Sequence, residues 1–328
     1  MRSLVFLFLA VSTVACAART ELRSTPAPLV LSTSAYELAG SLPLPEQEPL
    51  ELPGLHNVFR LSDQIVSGSE PHGEQAFEEM RRMGIRTVLT VDGKVPDAET
   101  AARYGLRYVH VPIRYNGITE TERVAIAKTF RELEGPFYVH CFHGQHRGPA
   151  AAALGRVVLD QASREQAVAE MRQYCGTSKK YEGLYRDIAA GDLPDTATTA
   201  ASDFDFAPAF RFEGERGAMV EMARSFDTLK DLAGRDWQVN PEHPDATAHG
   251  EARRLYQALS QVHDLPATAF KPGDYREILS KSLTQSKDLL ELLETAGGLP
   301  AESSLAAKDL VGAIGKSCEA CHGLYRNS

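Results

Sequence analysis

Between about residue 57 and residue 190 the apolar positions switch repeatedly between two periods. RTVLTV (86–91), RYVHVP (107–112) and FYVH (137–140) are short runs rich in β-branched and aromatic residues, the pattern of strands. Between them, residues 75–83 and 119–133 place apolar side chains at helical steps of three and four. Alternating strands and helices predict an α/β unit over 55–190, with a central, mainly parallel sheet flanked by helices. Beyond residue 208 the strand pattern stops. Met219, Met222, Phe226 and Leu229 fall on one helical face. So do Leu255, Leu259 and Val262; Leu279, Leu283, Leu290 and Leu293; and Leu310, Ile314 and Cys321. Prolines and glycines at 241, 244, 266, 272, 297 and 300 separate these blocks. The segment 209–328 is therefore predicted to be an all-α four-helix bundle, a surface through which a homodimer could form.

Three other segments carry no such period. Residues 191–208 (GDLPDTATTAASDFDFAP) read as a linker, and 19–54, rich in Pro, Ser and Glu, as a flexible leader. Residues 1–18 (MRSLVFLFLAVSTVACAA) join Arg2, an apolar stretch over 4–14 and the small residues Ala15, Cys16 and Ala17. That is the layout of a cleaved export signal, which places the mature protein in the periplasm or another extracytoplasmic compartment. A lipid anchor on Cys16 is the alternative, although Thr13 stands where lipoprotein signals usually carry Leu. No internal apolar run reaches the roughly 18 residues that span a bilayer. A net charge of −9 argues against nucleic acid as a partner, because phosphate contacts need clustered Lys and Arg.

Export permits disulfides, but four of the five cysteines sit inside local patterns. The densest is VHCFHGQHRG, 139–148, which follows a predicted strand and precedes the helical AAAALGRVV. A strand–loop–helix junction aims backbone N–H groups at one spot, and the helix dipole makes that spot positive. Cys141 at the head of the loop should have a lowered pKa and act as a nucleophilic thiolate. Arg147 closes the loop with a planar fork that can grip two phosphate oxygens. Gly144 lets the backbone curl inward, and Phe142, His143, Gly144, Gln145 and His146 line the cradle. A zinc site on Cys141, His143 and His146, a sulfur carrier and a non-catalytic phosphate-binding site are the competing readings.

The His-Cys-x5-Arg run resembles the signature of cysteine-dependent phosphatases of the dual-specificity and tyrosine type, over about residues 55–190. The resemblance implies hydrolysis of a phosphate monoester on a phosphorylated substrate, with Cys141 attacking phosphorus and Arg147 and the loop amides holding the oxygens. Two departures stand out. The family carries Ser or Thr where this chain has Gly148. It also has an aspartic general acid on an upstream loop, here PIRYNGIT (112–119), whose matching position is Asn116. Asp92, His143 and His146 are the substitutes the sequence offers. Cys175 reads as a core residue, with a disulfide to Cys141 as the alternative.

At the other end, Cys318-Glu319-Ala320-Cys321-His322 is the C-x-x-C-H pattern of covalent c-type haem. Both thiols would bond one haem c and His322 would be the proximal iron ligand. A zinc half-site lacks a second C-x-x-C, and a thioredoxin-like pair belongs after a strand. Residues 210–326 resemble cytochrome c prime, which implies a distal side chain from the first helix over the iron (Met219, then Met222) and pairing of Arg326 with a propionate. Two functions compete: a phosphatase modulated by haem redox state or a small gas, and an electron-transfer or gas-binding cytochrome, with its redox partner, whose α/β unit docks an anion without hydrolysing it.

Overall fold

The computed structural model describes residues 25–210, 213–239, 246–294 and 300–325. The expected export signal over 1–18, with Cys16, and the expected propionate partner Arg326 lie outside the described residues. In the α/β half, six strands lie in the order β1-β2-β3-β6-β4-β5. They are β1 (Leu50–Leu52), β2 (Leu55–Arg60), β3 (Ile65–Gly68), β4 (Thr87–Thr90), β5 (Arg107–His110) and β6 (Phe137–His140). β3, β6, β4 and β5 run parallel to one another, while β2 is antiparallel to both β1 and β3. The expected strands β4, β5 and β6 are present; β1 to β3 are additional to those expected.

Each parallel strand buries both faces, so alternate residues feed two cores. Val66, Val88, Tyr108 and Tyr138 pack on Phe77 and Met80 of α2 (Gly73–Arg82) and Ala101 of α3 (Ala98–Arg103). Ile65, Leu89, Val109 and Val139 face the larger core. That core is built by α1 (Ala35–Ser41), α4 (Glu120–Glu132), α5 (Arg147–Val158), α6 (Arg164–Gln173) and α7 (Glu182–Ala189). A capping box between Thr119 and Glu122 fixes the start of α4.

The leader expected to be flexible is docked from residue 25 onward. Ala35 and Ala39 are buried in the larger core, and Leu29, Leu31 and Tyr36 pack against it. Arg164 fastens the incoming chain by donating to Pro26 O at 2.8 Å, and the outgoing chain through Ile188 O at 2.7 Å. The linker expected over 191–208 is likewise fastened. It forms α8 (Thr196–Ala201), accepts a bond from Lys128 Nζ to Thr199 O, and sets Phe206 beneath Arg107. In both segments sparse apolar anchors and buried cations, not a periodic pattern, hold the chain.

The C-terminal region is helical: α9 (Gly214–Gly234), α10 (Ala248–His263), α11 (Gly273–Leu293) and α12 (Ala301–Tyr325). Each packs against the next, and α12 also touches α9. Their shared core includes Met222, Leu229, Leu255, Leu259, Val262, Leu279, Leu293 and Ile314. No helix among the described residues is long and apolar enough to cross a membrane.

Candidate active site

The register of the parallel strands lines up their C-terminal ends. Gly68 and Thr90 both pair with His140, and Thr90 pairs with His110. The residues that follow, Ser69-Glu70, Cys141 and Val91-Asp92, therefore gather at one edge, where α/β sheets bind ligands. Cys141 comes directly after the central strand β6 and is 3% exposed. Behind it, His140 Nε2 shares a 2.7 Å hydrogen bond with Tyr108 OH. Burial lowers the His140 pKa to about 4, so the ring is neutral.

The loop from Cys141 to Arg147 is shaped from outside. Glu70 N–H donates to Phe142 O at 3.0 Å, Asn57 Nδ2 to Gly144 O at 3.0 Å, and Thr177 Oγ1 to Gln145 O at 2.5 Å. A planar trans peptide points its N–H opposite its C=O. The amides of His143, Gln145 and His146 thus turn to the other side of the loop. Gly144 has φ +70°, and a Cβ there would lie 2.4 Å from Gly68 C. Only glycine lets the loop approach the end of β3 this closely.

Arg147 opens α5 and is 8% exposed. Its Nη2 donates to Asp92 Oδ2 at 2.8 Å and to Tyr115 OH at 3.0 Å, and its guanidinium stacks 4.2 Å from the Tyr115 ring centroid. Its Nε is buried with no hydrogen-bond partner. A buried, unpartnered donor on a charged fork is costly, and a bound oxyanion is the group that would satisfy it.

The three residues considered as the proton donor fall differently. Asp92 reaches the edge as expected, but its Oδ2 accepts from Phe142 N–H at 3.1 Å as well as from Arg147. Burial alone would raise its pKa. The Arg147 and Arg224 guanidiniums outweigh burial and hold the carboxyl well below the usual carboxylate range. Asp92 is therefore an ionised anion in this arrangement, without a proton to give at neutral pH. His146 lies 4.6 Å, ring to ring, from Tyr181, and burial takes its pKa to about 4. His143, against the Phe142 ring, is also lowered by desolvation. Neither imidazole is poised as a cationic acid at neutral pH. Asn116 sits on the upstream loop, with its carbonyl packed against Gly183. That loop delivers Tyr115 to Arg147.

Sequence reasoning missed Tyr115, Glu70 and Arg224. Tyr115 had a signal, as an aromatic on a loop already singled out. Glu70 follows the unread strand β3. Arg224 lies on α9, far along the chain, and nothing local marks it. Cys175 is a buried free thiol whose pKa burial pushes well up. Among the described residues no group of three or more His, Cys, Asp or Glu could hold a metal ion, so the zinc reading of Cys141, His143 and His146 gains no support.

No protein-family model matches the chain. The dual specificity protein phosphatase TpbA of Pseudomonas aeruginosa (strain UCBPP-PA14) is 25% identical over 119 residues, 36% of this chain and 54% of that protein. The N-terminal half is related to this phosphatase. The chain spans about half the length of that curated relative. Among solved structures, the P. aeruginosa TpbA crystal structure aligns with a TM-score of 0.36 at 21% identity, covering 48% of this chain and 91% of TpbA. The catalytic core of the PP-IP phosphatase SIW14 from S. cerevisiae aligns with a TM-score of 0.37 at 16% identity, covering 49% of this chain and 100% of SIW14.

The C-x-x-C-H run lies on the last turns of α12. Cys318 and Cys321 are free thiols, partly buried against the core of the helical region, where Met219, Phe226 and Tyr325 also pack. His322 is exposed, one residue on. Two thiols three positions apart face one apolar core that also takes in Met219, and an imidazole flanks them. This donor set fits a thioether-linked haem.

Proposed function

We propose that this chain is an exported, haem-carrying phosphatase. The observation that supports the catalytic half most strongly is the Cys141–Arg147 loop, with Arg147 Nε buried and unpartnered. The relation of the N-terminal half to TpbA supports it independently. In this reading the Cys141 thiolate attacks phosphorus while the ester P–O bond breaks. The leaving oxygen takes a proton from solvent, because among the described residues the three candidates, Asp92, His143 and His146, are not charged with one at neutral pH. Water then cleaves the S–P bond, releasing phosphate and restoring the thiol. Arg147 and the loop amides hold the non-bridging oxygens throughout. Full-length protein should hydrolyse an aryl phosphate and lose that activity in Cys141→Ser. No turnover with Cys141 reduced would sink the catalytic reading.

The helical region is proposed to be a four-helix bundle of the cytochrome c prime kind, placed outside the cytoplasm by residues 1–18. Cys318 and Cys321 would hold one haem c, His322 would be its proximal ligand, and Met219 would lie on the distal side. When bound, the haem supplies an iron able to change redox state or take up a small gas. The chain's own contribution is the apolar core that shields it. Intact mass after expression with haem attachment should rise by one haem with two thiols consumed, and Cys318→Ser/Cys321→Ser should abolish this. A protein retaining both thiols under those conditions counts against the reading.

One observation favours the second reading, a cytochrome with an anion-docking domain: Asp92, paired with Arg147, is held ionised and offers no proton to a leaving group. Oxyanion binding without hydrolysis would select it.

A further inference from the structure

Arg224, on α9 of the helical region, crosses to the edge of the sheet where Cys141 lies. Its Nη1 donates to Asp92 Oδ1 at 3.3 Å and its Nη2 to Glu70 Oε2. Its guanidinium stacks 4.0 Å from the centroid of Phe142, the residue after Cys141. Only 14% of the Arg224 side chain is exposed. The helix is seated tightly against the Asp92 loop: a Cβ on Gly93 would lie 2.7 Å from Val220. The linker adds a further tie, Phe210 N–H donating to His110 Nδ1 at 2.9 Å.

These contacts place Asp92 between two guanidiniums, Arg147 on Oδ2 and Arg224 on Oδ1. Glu70 lies between Arg224 and Lys94, whose Nζ is 2.8 Å away. The row thus holds Arg147, Arg224 and Lys94 against Asp92 and Glu70, a surplus of one positive charge. Without Arg224 the surplus disappears. Asp92 would then direct its whole charge at Arg147, in surroundings where little water screens it. Asp92 would keep its backbone donors, Phe142 N–H and Lys94 N–H, but with Arg147 as its one remaining guanidinium partner it would compete with an incoming oxyanion for that fork and would repel it.

We propose that Arg224 is a positioning residue of the oxyanion site: by holding Asp92 and Glu70 from the far side, it leaves Arg147 available to phosphate. This rests on the phosphatase-like reading of the Cys141 loop. It also makes the site incomplete without the helical region, since the side chain that balances Asp92 comes from α9.

The test is orthovanadate binding to the full-length protein, by calorimetry, in wild type, Arg224→Met, Asp92→Asn and the double variant. Arg224→Met should weaken vanadate roughly tenfold, in the range of coupling between charged neighbours. Arg224→Lys, which keeps the charge but cannot fork across two carboxylates, should recover part of the loss. In the Asp92→Asn background, Arg224→Met should cause a much smaller loss, because the carboxylate shared with Arg147 is gone and only Glu70 is left for Arg224 to balance. A purely structural role would lower stability without moving the vanadate affinity of folded protein. Unchanged affinity in Arg224→Met, or an equal loss with and without Asp92, overturns the inference. Should Arg224→Met not fold, vanadate affinity in Arg224→Gln equal to wild type overturns it. Wild-type protein that binds no vanadate defeats the reading of the loop itself, and the inference with it. Wild-type binding beside an indifferent Arg224→Met defeats the inference alone.

Discussion

A thiolate can displace an aryl oxide without help, because that leaving group is stable as an anion, but an alkoxide needs a proton as it departs. Here the loop over 112–119, where the resemblance implies an acid, carries Asn116. Asp92 is held ionised by two guanidiniums, and His146 is neutral above about pH 4. Turnover should therefore depend steeply on the leaving group, with aryl phosphates cleaved well and alkyl phosphates poorly. Asn116→Asp should narrow that gap, raising alkyl turnover by roughly 100-fold or more, the ordinary worth of a general acid. Steady-state rates on a series of phosphates of graded leaving-group pKa check this, and equal rates across the series in wild type would show that an acid is already present. Gly148 has a separate cause. A Cβ there would lie 3.0 Å from Cys141 N and 3.1 Å from His140 C, so a serine or threonine would press on the strand end that carries the nucleophile.

The element that organises the site is the Cys141–Arg147 loop, and its closure depends on its approach to the end of β3. Gly144→Ala adds a Cβ 2.4 Å from Gly68 C and 2.6 Å from Ser69 N, at φ +70°. These are backbone atoms and cannot swing aside, so the loop must lift. We expect Gly144→Ala to lower turnover by roughly 100-fold, the scale set by a displacement of about 1 Å in a reacting group. A helical circular-dichroism signal like that of wild type would localise the damage, and wild-type kinetics would show that the contact is not required. This loop was legible in the sequence because its chemistry is packed into ten consecutive residues between a strand and a helix. β4, β5 and β6 were legible because β-branched runs mark strands buried on both faces. β3 (IVSG) is too short to show a period, and β2 (LHNVFR) is broken by polar residues and by Asn57 at φ +50°. Losing β3 also hid Glu70. The helical region shows the converse. Its faces were readable from Met219 to Ile314, yet the residue of α9 that points the other way, Arg224, has its reason in Asp92, 132 positions earlier.

At the scale of the whole molecule, the same buried polar groups that build the site set its response to acid. His140 is 2% exposed with a pKa lowered to about 4, His146 is also lowered to about 4, and His110 is lowered by burial. In the unfolded chain these rings titrate near 6.5. Between pH 6.5 and 4 the unfolded state therefore binds more protons than the folded one, and stability must fall as pH falls. For His140 alone the complete loss is on the order of 3 kcal/mol, a large part of the 5–15 kcal/mol typical of a folded domain. Glu70 follows at lower pH. Arg224 and Lys94 outweigh its burial and hold it at about 2, so its contribution is present above its unfolded value of about 4.5 and disappears as pH drops through 2. Acid unfolding of the α/β half should thus begin in the imidazole range, before the carboxylates titrate. Urea midpoints read at the Tyr108–Tyr138 core should drop between pH 6.5 and 4.5, and His146→Gln should flatten the drop while leaving stability at pH 7.5 nearly the same. A midpoint constant down to pH 4.5 would mean that these rings carry their protons in the folded protein. The neutral His140–Tyr108 pair behind Cys141 would then have to be redrawn as a charged one.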